Sequence, residues 1–199
     1  MVTDEATITK AHTLAAAVAM DAADWGPGYT RGNPYETDPA PEWEVKTTCE
    51  GLTQGKRHGT LAAINRVVKQ PQTENIASTE VRVFADVATA ESFLTDVESA
   101  TRRCPEQYTG KTRWAGVRQA TAPTVAGFDE IVAEEGRQVT DDAGEKTDFP
   151  YVVYVGRSGD TTLHVLMYDD AGNPPARLAE RAAGAMKKLQ QRLVANSSQ

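Results

Sequence analysis

Cys49 and Cys104 are the residues of this 199-residue chain whose type and spacing bear most directly on chemistry. Cys49 follows the run Trp43-Glu-Val-Lys-Thr-Thr, and Cys104 closes an amphipathic stretch with Pro105 behind it. Neither belongs to a CxxC pair and no histidine cluster surrounds them, so metal binding and dithiol redox chemistry read poorly. Two readings remain. One is a structural disulfide, which belongs outside the cytoplasm and whose long closed loop contributes roughly 4 kcal/mol in the chain-entropy picture. The other is a pair of buried, unbonded thiols in a cytosolic core.

The histidines offer no nucleophile context such as GxSxG or HExxH. His164 falls inside a hairpin on the face opposite Leu163, Val165 and Met167, where a surface or cross-strand residue is expected. His58 sits in the basic loop Gly55-Lys-Arg-His-Gly59 and reads as solvated, with an anion site as the sharper alternative, while His12 reads as an exposed helix residue. Asp169, Asp170 and Asn173 lack the EF-hand spacing and its closing glutamate. Asp141, Asp142 and Glu145 read as a solvated turn. A glycosidase needs two carboxylates facing each other across a cleft, and 28 acidic residues supply such pairs by chance. Gly26 and Gly28 precede a loop rather than a helix, so they make no phosphate cradle. No catalytic residue, cofactor or metal is expected. The aromatic residues beside loops are better candidates for ligand contact, namely Trp25, Trp43 and Trp114. Against that stands the plainer reading that Trp25 and Trp43, with Tyr29 and Tyr35, pin a proline-rich segment.

The elements that must position these residues can be read from periodicity. Residues 6–24 read as an alanine-rich helix with Leu14, Val18 and Ala22 on one stripe, broken by Asp24-Trp-Gly-Pro-Gly-Tyr29. The chain to Pro41 reads as a loop or extended segment. Strands are expected at 60–69 and 78–85, with Gln70 to Asn75 as the turn between them. A helix follows with Thr89 as N-cap, an inward stripe of Phe93, Leu94, Val97 and Thr101, and Arg102 and Arg103 in the last turn. Further strands are expected at 113–120, 128–134, 151–156 and 161–168, the last two a tight hairpin, with 140–148 a mobile acidic loop. Asn173 and Pro174 open a final helix whose stripe is Leu178, Ala182, Met186, Leu189 and Leu193.

Bulk properties narrow the function classes. A net charge of -7 and a pI near 5.0 argue against nucleic acid, which needs clustered Lys and Arg. The longest apolar run, Leu14 to Met20, falls far short of the roughly 20 residues that span a bilayer, so a soluble chain without a membrane span is expected. Asp4 and Glu5 replace the basic start of a signal peptide. An exported protein would therefore have a leader or anchor absent from this chain.

Asp24-Trp-Gly-Pro-Gly-Tyr29, Trp43 ahead of Cys49, and the strand-helix unit from Glu80 through Phe84 to Cys104-Pro105 occupy the places of a known pattern. The chain resembles the extracytoplasmic sensor domain of the PknH-type serine/threonine kinases of mycobacteria and the related actinobacterial lipoproteins. The resemblance spans about Leu14 to Leu193. It implies an antiparallel sheet with flanking helices, a cleft for an extracellular ligand, and no catalysis by the domain itself. It departs from the kinase sensors in having cysteines for one disulfide rather than two, and in lacking the upstream membrane segment or lipid-anchor cysteine.

The expectation is a single α+β domain over residues 1–199, with its core at about 12–194 and a frayed tail at 195–199. It places an antiparallel sheet of about five to six strands beneath helices on one face. It assigns a non-enzymatic, extracytoplasmic sensor or ligand-binding module whose partner is a small ligand or an envelope protein. The alternatives are a small secreted hydrolase with a carboxylate pair and an envelope interaction module.

Overall fold

A computed structural model of the chain describes residues 4–55, 57–71, 76–142, 145–169 and 175–197. The first helix, α1 (Glu5–Val18), starts where the Asp4 carboxylate accepts the Thr7 N–H at 2.8 Å, an N-cap that satisfies one orphan amide. It is shorter than the periodicity implies. The chain leaves the helix at Ala19, makes a 3-10 turn at Ala22–Trp25, and is stopped by Gly26 at φ +101°. The proline-rich stretch that follows is β1 (Thr30–Thr37) and β2 (Glu42–Val45), and β2 pairs with β3 (Gly51–Gln54) as a small separate hairpin.

The remaining strands are β4 (Thr60–Lys69), β5 (Ile76–Phe84), β6 (Glu106–Thr109), β7 (Thr112–Gln119), β8 (Glu130–Asp142), β9 (Glu145–Ser158) and β10 (Thr161–Tyr168). With β1 they form one eight-stranded sheet in the order β1-β4-β5-β10-β9-β8-β7-β6, and every neighbouring pair is antiparallel. The sheet is thus larger than the expected five to six strands. Of the acidic stretch 140–148, expected as a loop, residues 140–142 and 145–148 are the end of the β8–β9 ladder, with Thr140 opposite Thr147 and Asp141 opposite Lys146, while 143 and 144 lie outside the described residues. Arg137 donates to Asp148 at 2.6 Å there, so ladder and ion pair hold a segment that has no apolar face. Most of the expected turn between β4 and β5 lies outside the described residues.

The second long helix, α2 (Val87–Arg103), is capped by Asp86, which accepts the Thr89 N–H at 2.7 Å. Thr89 is therefore inside the first turn and not the cap. The last helix, α3 (Pro175–Ser197), buries Leu178, Ala182, Met186, Leu189 and Leu193, the expected stripe. Its expected cap, Asn173 with Pro174, lies outside the described residues. At the other end Asn196 and Ser197 are still helical, their side chains donating to the Arg192 and Leu193 carbonyls.

Helices cover both faces of the sheet, not one. On one face α1 and α3 enclose Val81, Tyr154, Leu163, Val165 and Met167. On the other, α2 lays Phe93 and Leu94 over Phe84 and Val155. The cause lies in the central strands: β9 and β10 carry apolar side chains on alternate and intervening positions alike, so neither face can be left to water. Among the described residues no helix is long and apolar enough to cross a membrane.

Candidate ligand-binding cavity

The α2 face of the sheet is only partly filled. Leaving α2, the chain passes Cys104 and runs to the sheet edge as β6, while the β2–β3 hairpin folds over the gap between them. A cavity of about 550 Å³ remains between sheet, α2 and hairpin. Its floor is the set of residues whose parity puts them opposite the main core: Glu80 and Arg82 from β5, and His164, Leu166 and Tyr168 from β10. Tyr151, Val153 and Val155 from β9, Glu134 from β8 and Trp114 from β7 extend the floor. Phe93, Asp96, Val97 and Ala100 of α2 make one wall, and residues 41–47 make the roof.

The roof is fastened at both ends. Cys49 and Cys104 are joined in a disulfide with Cα atoms 5.4 Å apart, tying the hairpin turn to the end of α2. Cys49 takes φ +66° in that turn, and Tyr108 N–H donates to its carbonyl at 3.1 Å, linking the turn to β6. Arg103 donates to the Val45 carbonyl at 3.0 Å. At the other end Arg57 reaches both Glu42 (2.9 Å from Nε) and Asp96 (2.7 Å from Nη2), bridging roof and helix. The loop expected to be solvated therefore contributes an arginine to the cavity wall, while His58 itself is exposed. Gly51 lies directly against the Trp43 indole, where a Cβ would come within 2.0 Å of the ring. Only glycine permits that contact, and it sets the ring's position at the cavity mouth.

Trp43 and Trp114 meet there with ring centroids 5.1 Å apart, inclined by 58°. The structure thus brings two of the three expected tryptophans to one site. Trp25 is elsewhere, 6.0 Å from Tyr29 and against the α1–α3 core. Tyr151 and Tyr168, with centroids 6.0 Å apart, continue the aromatic lining inward.

Three ionisable groups in the floor were not singled out by sequence reasoning, or were placed differently. Arg82 is only 2% exposed. Its Nε donates to Glu80, one Nη donates to the Pro41 carbonyl, and Nη1 has no hydrogen-bond partner. His164, expected at a surface, faces the cavity; burial lowers its pKa, Glu80 opposes that and Arg82 adds to it. Its Nε2 also has no partner. Glu134 is raised above the ordinary carboxylate range by burial, opposed by hydrogen bonds from Thr101 and Tyr151. Thr101 Oγ1 lies 2.5 Å from Glu134 and 3.0 Å from the Val97 carbonyl, yet a hydroxyl has a single proton to give. A protonated Glu134 satisfies both contacts, because it donates to Thr101 while accepting from Tyr151 at 2.8 Å. Burial likewise raises the Tyr151 and Tyr168 phenols, Tyr168 to about 12, so both stay neutral, Tyr151 donating to Glu134 and Tyr168 accepting from the Trp114 indole.

The cue to Arg82 was present: a charged residue inside Val81-Arg-Val-Phe84 shares its face with Phe84 and cannot be on the outside of that strand if the face is covered. Asp169, considered for a cation site, is 2% exposed and lies 4.0 Å from Arg181, while Asp170 and Asn173 fall outside the described residues.

No family model matches the chain, and no curated protein matches it in sequence. Solved structures do. The extracellular domain of PknH from Mycobacterium tuberculosis superposes with a TM-score of 0.62 at 11% identity, over 92% of this chain and 96% of that one. An uncharacterised protein from Mycobacterium smegmatis gives a TM-score of 0.45 at 12% identity, over 85% of this chain and 97% of that one. An eight-stranded antiparallel sheet flanked by three helices, superposing over nearly the whole of both chains, gives this protein the fold of the PknH extracellular domain.

Proposed function

We propose that this protein is a non-enzymatic, extracytoplasmic sensor-type domain that holds a small molecule in the cavity between the sheet and α2. The observation that carries the reading is the cavity itself: about 550 Å³, roofed by a hairpin that a disulfide ties to the adjacent helix. That volume lies within the range of sites that enclose small organic ligands. The disulfide supports a compartment outside the cytoplasm, as does the likeness to a domain described as extracellular. In this reading the domain acts by occupancy. Ligand seated under the β2–β3 roof alters the roof and the end of α2, and a second protein, or another part of the same one, reads that surface.

A fluorescence titration tests this. Small-molecule fractions of the source culture are added to the purified protein while indole emission is followed. A responding fraction is expected to keep its effect on Trp25→Phe, because Trp25 is remote from the cavity, and to lose it on Ser99→Trp. Ser99 is an exposed α2 position that lines the cavity, so a tryptophan there fills the space without disturbing the core. A response that persists in Ser99→Trp, or that vanishes only with Trp25→Phe, would place binding elsewhere.

A further inference from the structure

Four carboxylates around the cavity are already engaged, whereas two buried nitrogens are not. Glu42 and Asp96 receive Arg57, Glu80 receives Arg82, and Glu134 is held by Thr101 and Tyr151. By contrast Arg82 Nη1 and His164 Nε2 have neither a hydrogen-bond partner in the protein nor contact with bulk solvent. The two residues stand on adjacent strands. Arg82 is opposite Thr162 and Glu80 is opposite His164, so Arg82 and His164 are diagonal neighbours on one face of the β5–β10 ladder. A buried guanidinium N–H without an acceptor is costly, and burying it is tolerable when something that enters the cavity supplies the oxygen. Beyond the paired Glu80, the cavity beside this pair is lined by Phe93, Val97, Val153, Val155 and Leu166, with the Trp43–Trp114 pair at the mouth.

We infer that the cavity binds a monocarboxylate with an apolar or aromatic body, its carboxylate accepting from Arg82 Nη1 and His164 Nε2 and its body lying between α2 and the tryptophan pair. The inference rests on the ligand-binding reading above and adds the ligand's chemical class. A carboxylate suits an arginine N–H because the charge-assisted hydrogen bond is short and strong. One negative charge suits this floor, since Glu80 already offsets much of the Arg82 charge and a dianion would meet that carboxylate. His164 completes the pair as a neutral imidazole in the tautomer that carries its proton on Nε2, because burial disfavours the charged ring.

The test is calorimetric titration of the whole chain with phenylacetate, indole-3-acetate, octanoate and decanoate, each against its primary amide. The amides keep shape and apolar area, remove the charge and turn one acceptor oxygen into a donor. At least one acid is expected to bind about tenfold or more tighter than its amide, the size of one charge-assisted hydrogen bond. Arg82→Met and His164→Phe are each expected to erase most of that preference. Should Arg82→Met fail to fold by circular dichroism, His164→Phe carries the test, and the acid preference must fall by at least about threefold. Acids and amides binding alike would overturn the carboxylate assignment while leaving a ligand cavity intact. A preference that survives the foldable variants would overturn the Arg82–His164 assignment. Binding by none of the acids overturns the inference, and the culture-fraction titration then decides separately whether the cavity is a site at all.

Discussion

At the scale of single residues, the floor of the cavity is an arrangement of ionisable groups kept neutral or paired by burial, and its pH behaviour follows. The His164 imidazole sits below its ordinary 6.5 in the fold, so the unfolded chain takes up a proton that the folded one resists. Stability from this residue is complete above about pH 6.5 and is lost as pH falls through the folded value. His164→Gln is expected to flatten the dependence of the melting temperature on pH in that interval, read by circular dichroism; an unchanged slope would mean the imidazole titrates normally. Glu134 has the opposite sign. Its folded pKa is raised above 4.5, so its contribution is present in acid and declines as pH rises through the folded value. Glu134→Gln, which keeps groups able to pair with Thr101 and Tyr151, is expected to leave stability at neutral pH unchanged or higher, whereas Tyr151→Phe costs about 1–3 kcal/mol by stripping a donor from a buried carboxyl. Denaturant titration of the two variants separates these outcomes. None of these pairings could be read from the chain alone, because Glu134 and Thr101 meet only after β8 passes beneath α2.

Elements differ in how plainly they are written in the sequence. The α3 stripe and the β9–β10 hairpin are legible because apolar side chains recur at the helical period in one and crowd both faces of a tight turn in the other. Strand β1 is not. Thr30-Arg-Gly-Asn-Pro-Tyr-Glu-Thr37 is an edge strand that pairs only with β4, carries a glycine and a proline, and lies mostly open to solvent. Backbone pairing holds it, and an alternation test cannot see backbone pairing. The four-residue strands β2, β3 and β6 escape for a similar reason: their order comes from the Cys49–Cys104 link and from Gly51 under Trp43. The hairpin is therefore the element most exposed to mutation. Replacing both cysteines by alanine is expected to cost about 2–4 kcal/mol and to speed hydrogen exchange in residues 42–54 more than elsewhere. A uniform change across the chain would show that the disulfide stabilises the whole domain without positioning the roof. Gly51→Val is expected to displace Trp43 and shift its emission at little cost to the main core, since the clash is confined to the indole.

For the molecule as a whole, what the sequence conveyed best was the class of fold. Asp24-Trp-Gly-Pro-Gly-Tyr29, Trp43 ahead of Cys49 and the strand-helix unit ending at Cys104-Pro105 pointed to the same fold that superposition finds at 11% identity. Sheet order was hidden, and with it the site, because β5 and β10 are neighbours in the sheet but distant in sequence, and only their pairing brings Arg82 beside His164. The compartment is open to a direct check: in protein taken from its source without reduction, Cys49 and Cys104 are expected to resist alkylation. Ready alkylation of both would place the protein in a reducing environment and remove the basis for an extracytoplasmic role.

The central claim, that the roofed cavity encloses a small molecule, is tested most directly by native mass spectrometry of protein purified from its source under mild conditions, wild type beside Ser99→Trp. A discrete added mass on the wild-type chain, lost on unfolding and missing from Ser99→Trp, is the result this account expects. Equal adducts on both proteins, or none on either while both remain folded, would contradict it.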